Sequence, residues 1–179
     1  MLQVPNTSQP ELQAQIHELP KVDLHRHLDG SIRLETIIDI AREYDIALPV
    51  YDVETLGSFV KAKPASTLVE FLSPWGSIFK YCFPNRAVIS RLAREAVEDA
   101  WKDNVYCLEL RFSPEYMAAV RNLRLQDVIE GVVDGVEIAG KQYPTIVKLI
   151  VSISRQCEAR GWALPQDILR AALEYSDCG

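Results

Sequence analysis

Histidine is scarce in this sequence of 179 residues: His17, His25 and His27 are the only three, and none follows residue 27. Any site that needs imidazoles must therefore draw them from the N-terminal end. The four cysteines, Cys82, Cys107, Cys157 and Cys178, are widely scattered and include no Cys-x-x-Cys pair. That spacing excludes a zinc site built on paired thiolates and supplies no disulfide framework, so reduced thiols in a cytoplasmic protein are expected. No apolar run approaches the roughly 18 residues of a membrane helix. No basic segment leading into an apolar stretch opens the chain, so no signal peptide is expected either. Positive charge is also short, with 19 Lys and Arg against 25 Asp and Glu and a net charge of −6. This balance argues against a nucleic-acid polymer or an anionic membrane as partner, while a neutral small molecule needs no basic patch. Internal repeats and low-complexity segments are absent.

Apolar residues make up 48% of the chain, ample for the core of one globular domain. The most informative stretch is Leu19-Pro-Lys-Val-Asp-Leu-His25-Arg-His27-Leu-Asp29-Gly30-Ser31. Successive side chains of an extended segment alternate faces, so His25 and His27 are expected on one side at the end of a short strand that begins at Val22. Two imidazoles so placed can take adjacent corners of a metal ion's coordination sphere, and Asp29 continues the two-residue spacing. A His-x-His pair alone is more often two surface or hydrogen-bonded histidines than a metal site.

Residues 1–18 are polar and interrupted by Pro5 and Pro10, and read as a loose arm with a helical turn near Glu11–His17 and an exposed His17. Leu34, Ile37, Ile38, Ala41 and Tyr44 recur at helical spacing and predict a helix over 34–45. Two further helices are expected over 52–61 and 67–80, separated by Pro64. The second has Leu68, Phe71, Leu72, Trp75 and Phe79 along one stripe and Pro74 inside it. Such a stripe by itself reads as core.

Ile89, Leu92, Ala93, Ala96, Val97, Ala100 and Trp101 make the clearest amphipathic pattern, with Arg91, Arg94, Glu95, Glu98 and Asp99 largely facing water. Val105–Phe112 reads as a second strand, on which Glu109 and Arg111 share a face as an ion pair. A helix follows from Leu125 to Ala139, where Gly131 and Gly135 cost about 1 kcal/mol each relative to alanine. Close packing against a strand is the expected compensation. Thr145–Ile153 reads as a third strand, apolar enough to be covered on both faces. Arg155 stands just past its end, as a functional residue or a structural salt bridge. Pro165 opens a last helix with Ile168, Leu169, Ala172 and Leu173 inward. Strands separated by helices imply an α/β fold with parallel crossovers.

The string from Leu19 to Pro49 resembles the opening of the adenosine deaminase family, the bacterial enzymes above all. Glu70-Phe71-Leu72, then Glu109-Leu-Arg-Phe-Ser-Pro-Glu-Tyr-Met-Ala118, then Lys148-Leu149-Ile150 running on to Ser154-Arg155, match later family segments in the same order. The resemblance implies a (β/α)8 barrel with one zinc at the C-terminal strand ends, which replaces the 6-amino group of adenosine with oxygen and releases ammonia. By motif position it implies His25 and His27 as zinc ligands, and His27 and Asp29 as substrate contacts, Asp29 through a ribose hydroxyl. It implies Phe71, Leu72 and Trp75 as an apolar lid over the purine, with Trp75 standing where the family usually has a smaller residue.

The family's third histidine ligand, its aspartate ligand, its glutamate acid/base and a further histidine belong to later strands, for which no residues are present here. No catalytic residue is therefore expected in this chain, and its zinc site is expected to be incomplete. A full barrel typically takes about 250 residues. The expected architecture is a partial TIM (β/α)8 barrel, about the first three β/α units with extra helices between strands 1 and 2. Residues 1–18 would form the arm and 19–179 the N-terminal half of the barrel. The lack of Cys-x-x-Cys excludes the other zinc deaminase design. The expected partner of the complete enzyme is a purine nucleoside, and open strand edges are expected to favour self-association. Two other readings stand beside this one. The first is part of a deaminase for adenine or a modified adenosine, and the second a non-catalytic module that binds a complementary chain.

Overall fold

Apolar residues recurring every three to four positions wind into helices here, and runs of β-branched and aromatic residues extend into strands. The computed structural model describes residues 9–61, 67–155, 157–161 and 163–176. They form α1 (Gln9–Glu18), β1 (Lys21–His27), α2 (Leu34–Glu43), α3 (Val53–Val60), α4 (Leu68–Ser77), α5 (Arg86–Lys102), β2 (Val105–Phe112), α6 (Pro114–Ala118), α7 (Leu125–Gly140), β3 (Ile146–Val151) and α8 (Pro165–Leu173). Side-chain caps fix several starts: Asp52 accepts from Thr55 N at 2.8 Å before α3, and Asn85 from Val88 N at 3.0 Å before α5. Thr67 and Glu70 cap α4 reciprocally. The expected helical turn near Glu11–His17 is instead a helix of 10 residues that buries none of them. Its end is tied to the sheet, the His17 carbonyl accepting from Lys21 Nζ at 2.9 Å and Asn104 Nδ2 at 2.7 Å. Residues 1–8, Pro64 and Cys178 lie outside the described residues.

The three strands pair in parallel, in the order β1-β2-β3. Leu108, Leu110 and Phe112 on one face of β2 pack into a core with Ile89, Leu92 and Val97 of α5 and Val128, Ile129 and Val132 of α7. The opposite face is open, with Val22, Leu24 and Ile146 exposed by 62, 59 and 63%. β3 is thus covered on one side only, contrary to its apolar pattern. Val147, Leu149 and Val151 pack on the core, while Ile146 and Lys148 are exposed. A parallel sheet with helices on one face and an open second face is the partial barrel the element order implies.

Other residues depart from their local pattern. Glu95, expected toward water, is buried because it accepts from Thr36 Oγ1 and from Arg91 Nε, both at 2.7 Å. The bidentate Arg33–Asp99 pair, at 2.9 and 2.6 Å, binds the start of α2 to α5 beside it. Gly131 and Gly135 face α5, not a strand. A Cβ on Gly135 would lie 2.3 Å from the Ser90 carbonyl oxygen, and one on Gly131 3.0 Å from that of Arg86. Helix backbones meet there at a distance that only glycine permits. In α8 the buried residues are Ile168 and Ala171, while Leu169 and Leu173, expected inward, are exposed.

Cys82, Cys107 and Cys157 are free thiols, and burial pushes that of Cys82 up to about 12. Among the described residues no helix is long and apolar enough to cross a membrane.

Candidate functional site

Parallel strands deliver their C-terminal ends to one side of the molecule, and there a cleft of about 1010 Å³ opens. Its walls come from the end of β1, from α4, from the start of α6 and from the loop after β3. The volume matches that of small-molecule sites.

β1 enters the cleft through a bulge. Asp23 pairs with Leu108 and Arg26 with Leu110, so Leu24 and His25 together face the single residue Glu109. Beyond the bulge the alternation resumes, and His25 and His27 share a face with ring centroids 5.2 Å apart. Asp23 braces the bulge, accepting from His25 N at 3.1 Å and Arg26 Nε at 2.8 Å. Burial pushes the Asp23 carboxyl up, but those two bonds outweigh it and hold the group below the usual carboxylate range. On β2, Arg111 forms no ion pair with Glu109. Its Nη1 lies 2.9 Å from His25 Nε2, and since a guanidinium can only donate, the ring nitrogen accepts. Arg111 Nε is buried without a hydrogen-bond partner among the described residues.

The two imidazoles suit zinc chemically, but a zinc site takes at least three protein donors. Among the described residues no group of three or more His, Cys, Asp or Glu gathers to hold an ion. His17 is at the other end of the strands, its Nδ1 3.3 Å from Asp103 Oδ1. The residues present therefore fit part of a zinc donor set.

Asp29 sits in the 3-10 turn after β1, 7% exposed. Its Oδ2 accepts from the Trp75 indole Nε1, and its Oδ1 lies 3.8 Å from His27 Nδ1. Trp75 is flanked by Phe71 and Phe79, with ring centroids 5.6 and 5.1 Å away. Tyr116 Oη donates to the Trp75 carbonyl at 2.7 Å. Burial raises the Tyr116 phenol far above its ordinary value, and the nearby Asp29 charge adds to the effect. The stripe expected on one helix over 67–80 is therefore divided: α4 ends at Ser77 and Phe79, in the 3-10 turn after it, is buried in the core, while Phe71 and Leu72 remain exposed and line the cleft. His27, Asp29, Phe71, Leu72 and Trp75 all meet in this cleft.

Glu115 lines the cleft too, and motif reading passes over it. It is 1% exposed, and its Oε1 accepts from Ser154 N at 2.8 Å, joining α6 to the end of β3. Its Oε2 has no partner among the described residues. Burial raises this carboxyl above the ordinary glutamate value despite the backbone bonds that oppose it. The sequence signal is Ser113-Pro114-Glu115 directly after a strand, where Pro starts a helix and barrel enzymes place functional groups. Arg155 is exposed outside the cleft lining, and Arg160 from the same loop lines it.

Residues 20–179 match the family model described as adenosine deaminase. An adenosine deaminase of Aliivibrio fischeri is 43% identical over 143 residues, covering 78% of this chain and 42% of that protein. The N6-methyl-AMP deaminase of Arabidopsis thaliana is similar in structure, with a TM-score of 0.69 and 27% identity over 93% of this chain and 48% of that one. A Burkholderia ambifaria amidohydrolase solved with bound zinc shares the fold, with a TM-score of 0.72 at 22% identity over 96% of this chain and 44% of its own. The chain spans less than half the length of these relatives.

Proposed function

The chain belongs to the adenosine deaminase family, and on that premise we propose that it is the N-terminal part of a zinc-dependent adenosine deaminase. The complete enzyme would hydrolyse adenosine or deoxyadenosine to inosine or deoxyinosine and ammonia. The observation that carries this reading is the meeting of His25, His27 and Asp29 in one cleft walled by Phe71, Leu72 and Trp75. His25 and His27 would hold the zinc, which when bound supplies the Lewis acidity that makes water nucleophilic near neutral pH. Asp29 would accept a ribose hydroxyl. Phe71, Leu72 and Trp75 would cover the purine plane and shed its water. The free thiols of Cys82, Cys107 and Cys157 support a cytoplasmic location.

Two imidazoles with no third donor gathered beside them among the described residues bind zinc weakly, so this chain alone is inactive in our reading. Zinc content after gel filtration and ammonia release from adenosine test it together. The expected outcome is sub-stoichiometric zinc and no ammonia, and turnover by the purified chain would falsify the inactive reading. A separately expressed polypeptide bearing the later strands should restore adenosine deamination.

The structural similarity to an N6-methyl-AMP deaminase favours one second reading, a modified-adenosine enzyme. Comparing adenosine, adenine and N6-methyl-AMP in the complemented assay separates the two. The open sheet face supports a third, binding of a complementary chain without catalysis.

A further inference from the structure

We propose that Trp75 is a positioning residue for sugar recognition, its indole N–H locking Asp29 so that the other carboxylate oxygen is presented to a ligand hydroxyl. The inference rests on the reading of Asp29 as the ribose contact and extends it to a residue on a different element. Asp29 is buried, so it has few donors to choose from, and Trp75 Nε1 occupies Oδ2. That leaves Oδ1, 3.8 Å from His27 Nδ1 and too far for a hydrogen bond, as the oxygen that lacks one of its own. A buried carboxylate with one oxygen occupied cannot turn freely, and the direction of its second oxygen is set.

Trp75 is itself held from two sides. Tyr116 Oη donates to its carbonyl at 2.7 Å, and a Cβ on Gly30 would lie only 3.2 Å from its Cζ2. The indole thus lies against the very turn that carries Asp29. Elsewhere α4 is loosely covered, with Leu68 and Val69 exposed. The Trp75–Asp29 bond therefore couples the placement of α4 to the carboxylate that reads the sugar. A free purine base, which carries no ribose, makes no use of this coupling.

The test compares adenosine with adenine as ligands of the 179-residue chain, by calorimetry, for the native protein and for Trp75→Phe. Phenylalanine keeps an aromatic ring and removes the N–H. Trp75→Phe trims the purine contact for both ligands, and should weaken adenosine about tenfold more than it weakens adenine, as loss of a hydrogen bond to a charged group predicts. Equal weakening of both ligands would show a lid contact only and would overturn the proposal. A measurement on the unmodified chain stands independently of how the variant folds. The Trp75 indole 15N–1H resonance should shift with either ligand, because the purine lies against the ring, and should shift further on adenosine saturation than on adenine saturation. A shift no larger with adenosine than with adenine overturns the proposal. Failure of the native chain to bind adenosine overturns this inference, which places a working sugar contact within these residues, while the deaminase reading is decided separately by the complemented assay. Binding with an unchanged adenosine-to-adenine ratio in Trp75→Phe also overturns this inference alone.

Discussion

Glu115 illustrates how a single carboxyl can oppose the fold that surrounds it. Its pKa is raised above 4.5 in the native chain, burial outweighing the N–H bonds from the backbone. A raised native value means that the folded chain holds this proton more tightly than the unfolded chain does. The contribution to stability is complete below the unfolded pKa and is lost as pH rises through the native one. At neutral pH the ionised group is therefore a cost. Glu115→Gln retains an acceptor for Ser154 N and removes the charge. Urea melts across a pH series should show the variant more stable than the native chain near neutrality, with the gap closing toward about pH 4. A variant less stable at neutral pH would mean that the ionised form has a stabilising partner. His25 takes its partner from another element too, its Nε2 accepting from Arg111 of the adjacent strand.

Packing between elements is tightest where α7 crosses α5. Gly135 meets the Ser90 carbonyl at a separation that leaves no room for a methyl group, whereas Gly140, at the end of the same helix, would meet nothing within 4 Å. Gly135→Ala should therefore cost about 1–3 kcal/mol through overpacking against backbone that cannot move aside. Gly140→Ala should be neutral or stabilise by up to about 1 kcal/mol, because alanine restricts the unfolded chain and favours helix. Denaturant melts of the two variants give the comparison directly, and equal effects would refute the helix–helix account. Helical periodicity shows that these glycines lie on the inward stripe, but not which element that stripe meets. For the same reason α4 reads as core by its spacing and proves to be half cleft wall, with Leu68 and Leu72 left 71 and 46% exposed.

At the scale of the molecule, an open parallel sheet determines behaviour. β1 and β3 each leave a strand edge unpaired among the described residues, and Val22, Leu24 and Ile146 are exposed on the uncovered face. Edges and apolar faces of this kind favour association. The purified chain should sediment as a species larger than a monomer at micromolar concentration. The double variant Val22→Lys, Ile146→Lys should move it toward the monomer, because lysine on a strand edge or face opposes pairing. Sedimentation velocity decides this, and a monomeric native chain would refute it.

The alternation of strands with helices, apart from the short α6, and the shared face of His25 and His27 were determined by the sequence by itself. Both depend on local geometry: a period of two in extended chain and of 3.6 in a helix acts over a few neighbouring residues. The family motifs likewise lie in short contiguous strings. Only the tertiary structure decided that Glu95 turns inward to Thr36, 59 positions away, that Arg111 donates to His25 across 86, and that Trp75 locks Asp29 across 46. It also decided that Glu115 is buried and that the sheet has one open face. A local pattern selects the side of an element on which a residue stands. What occupies the space beyond that side depends on how distant segments pack, and polar groups take their partners and their ionisation from that neighbourhood.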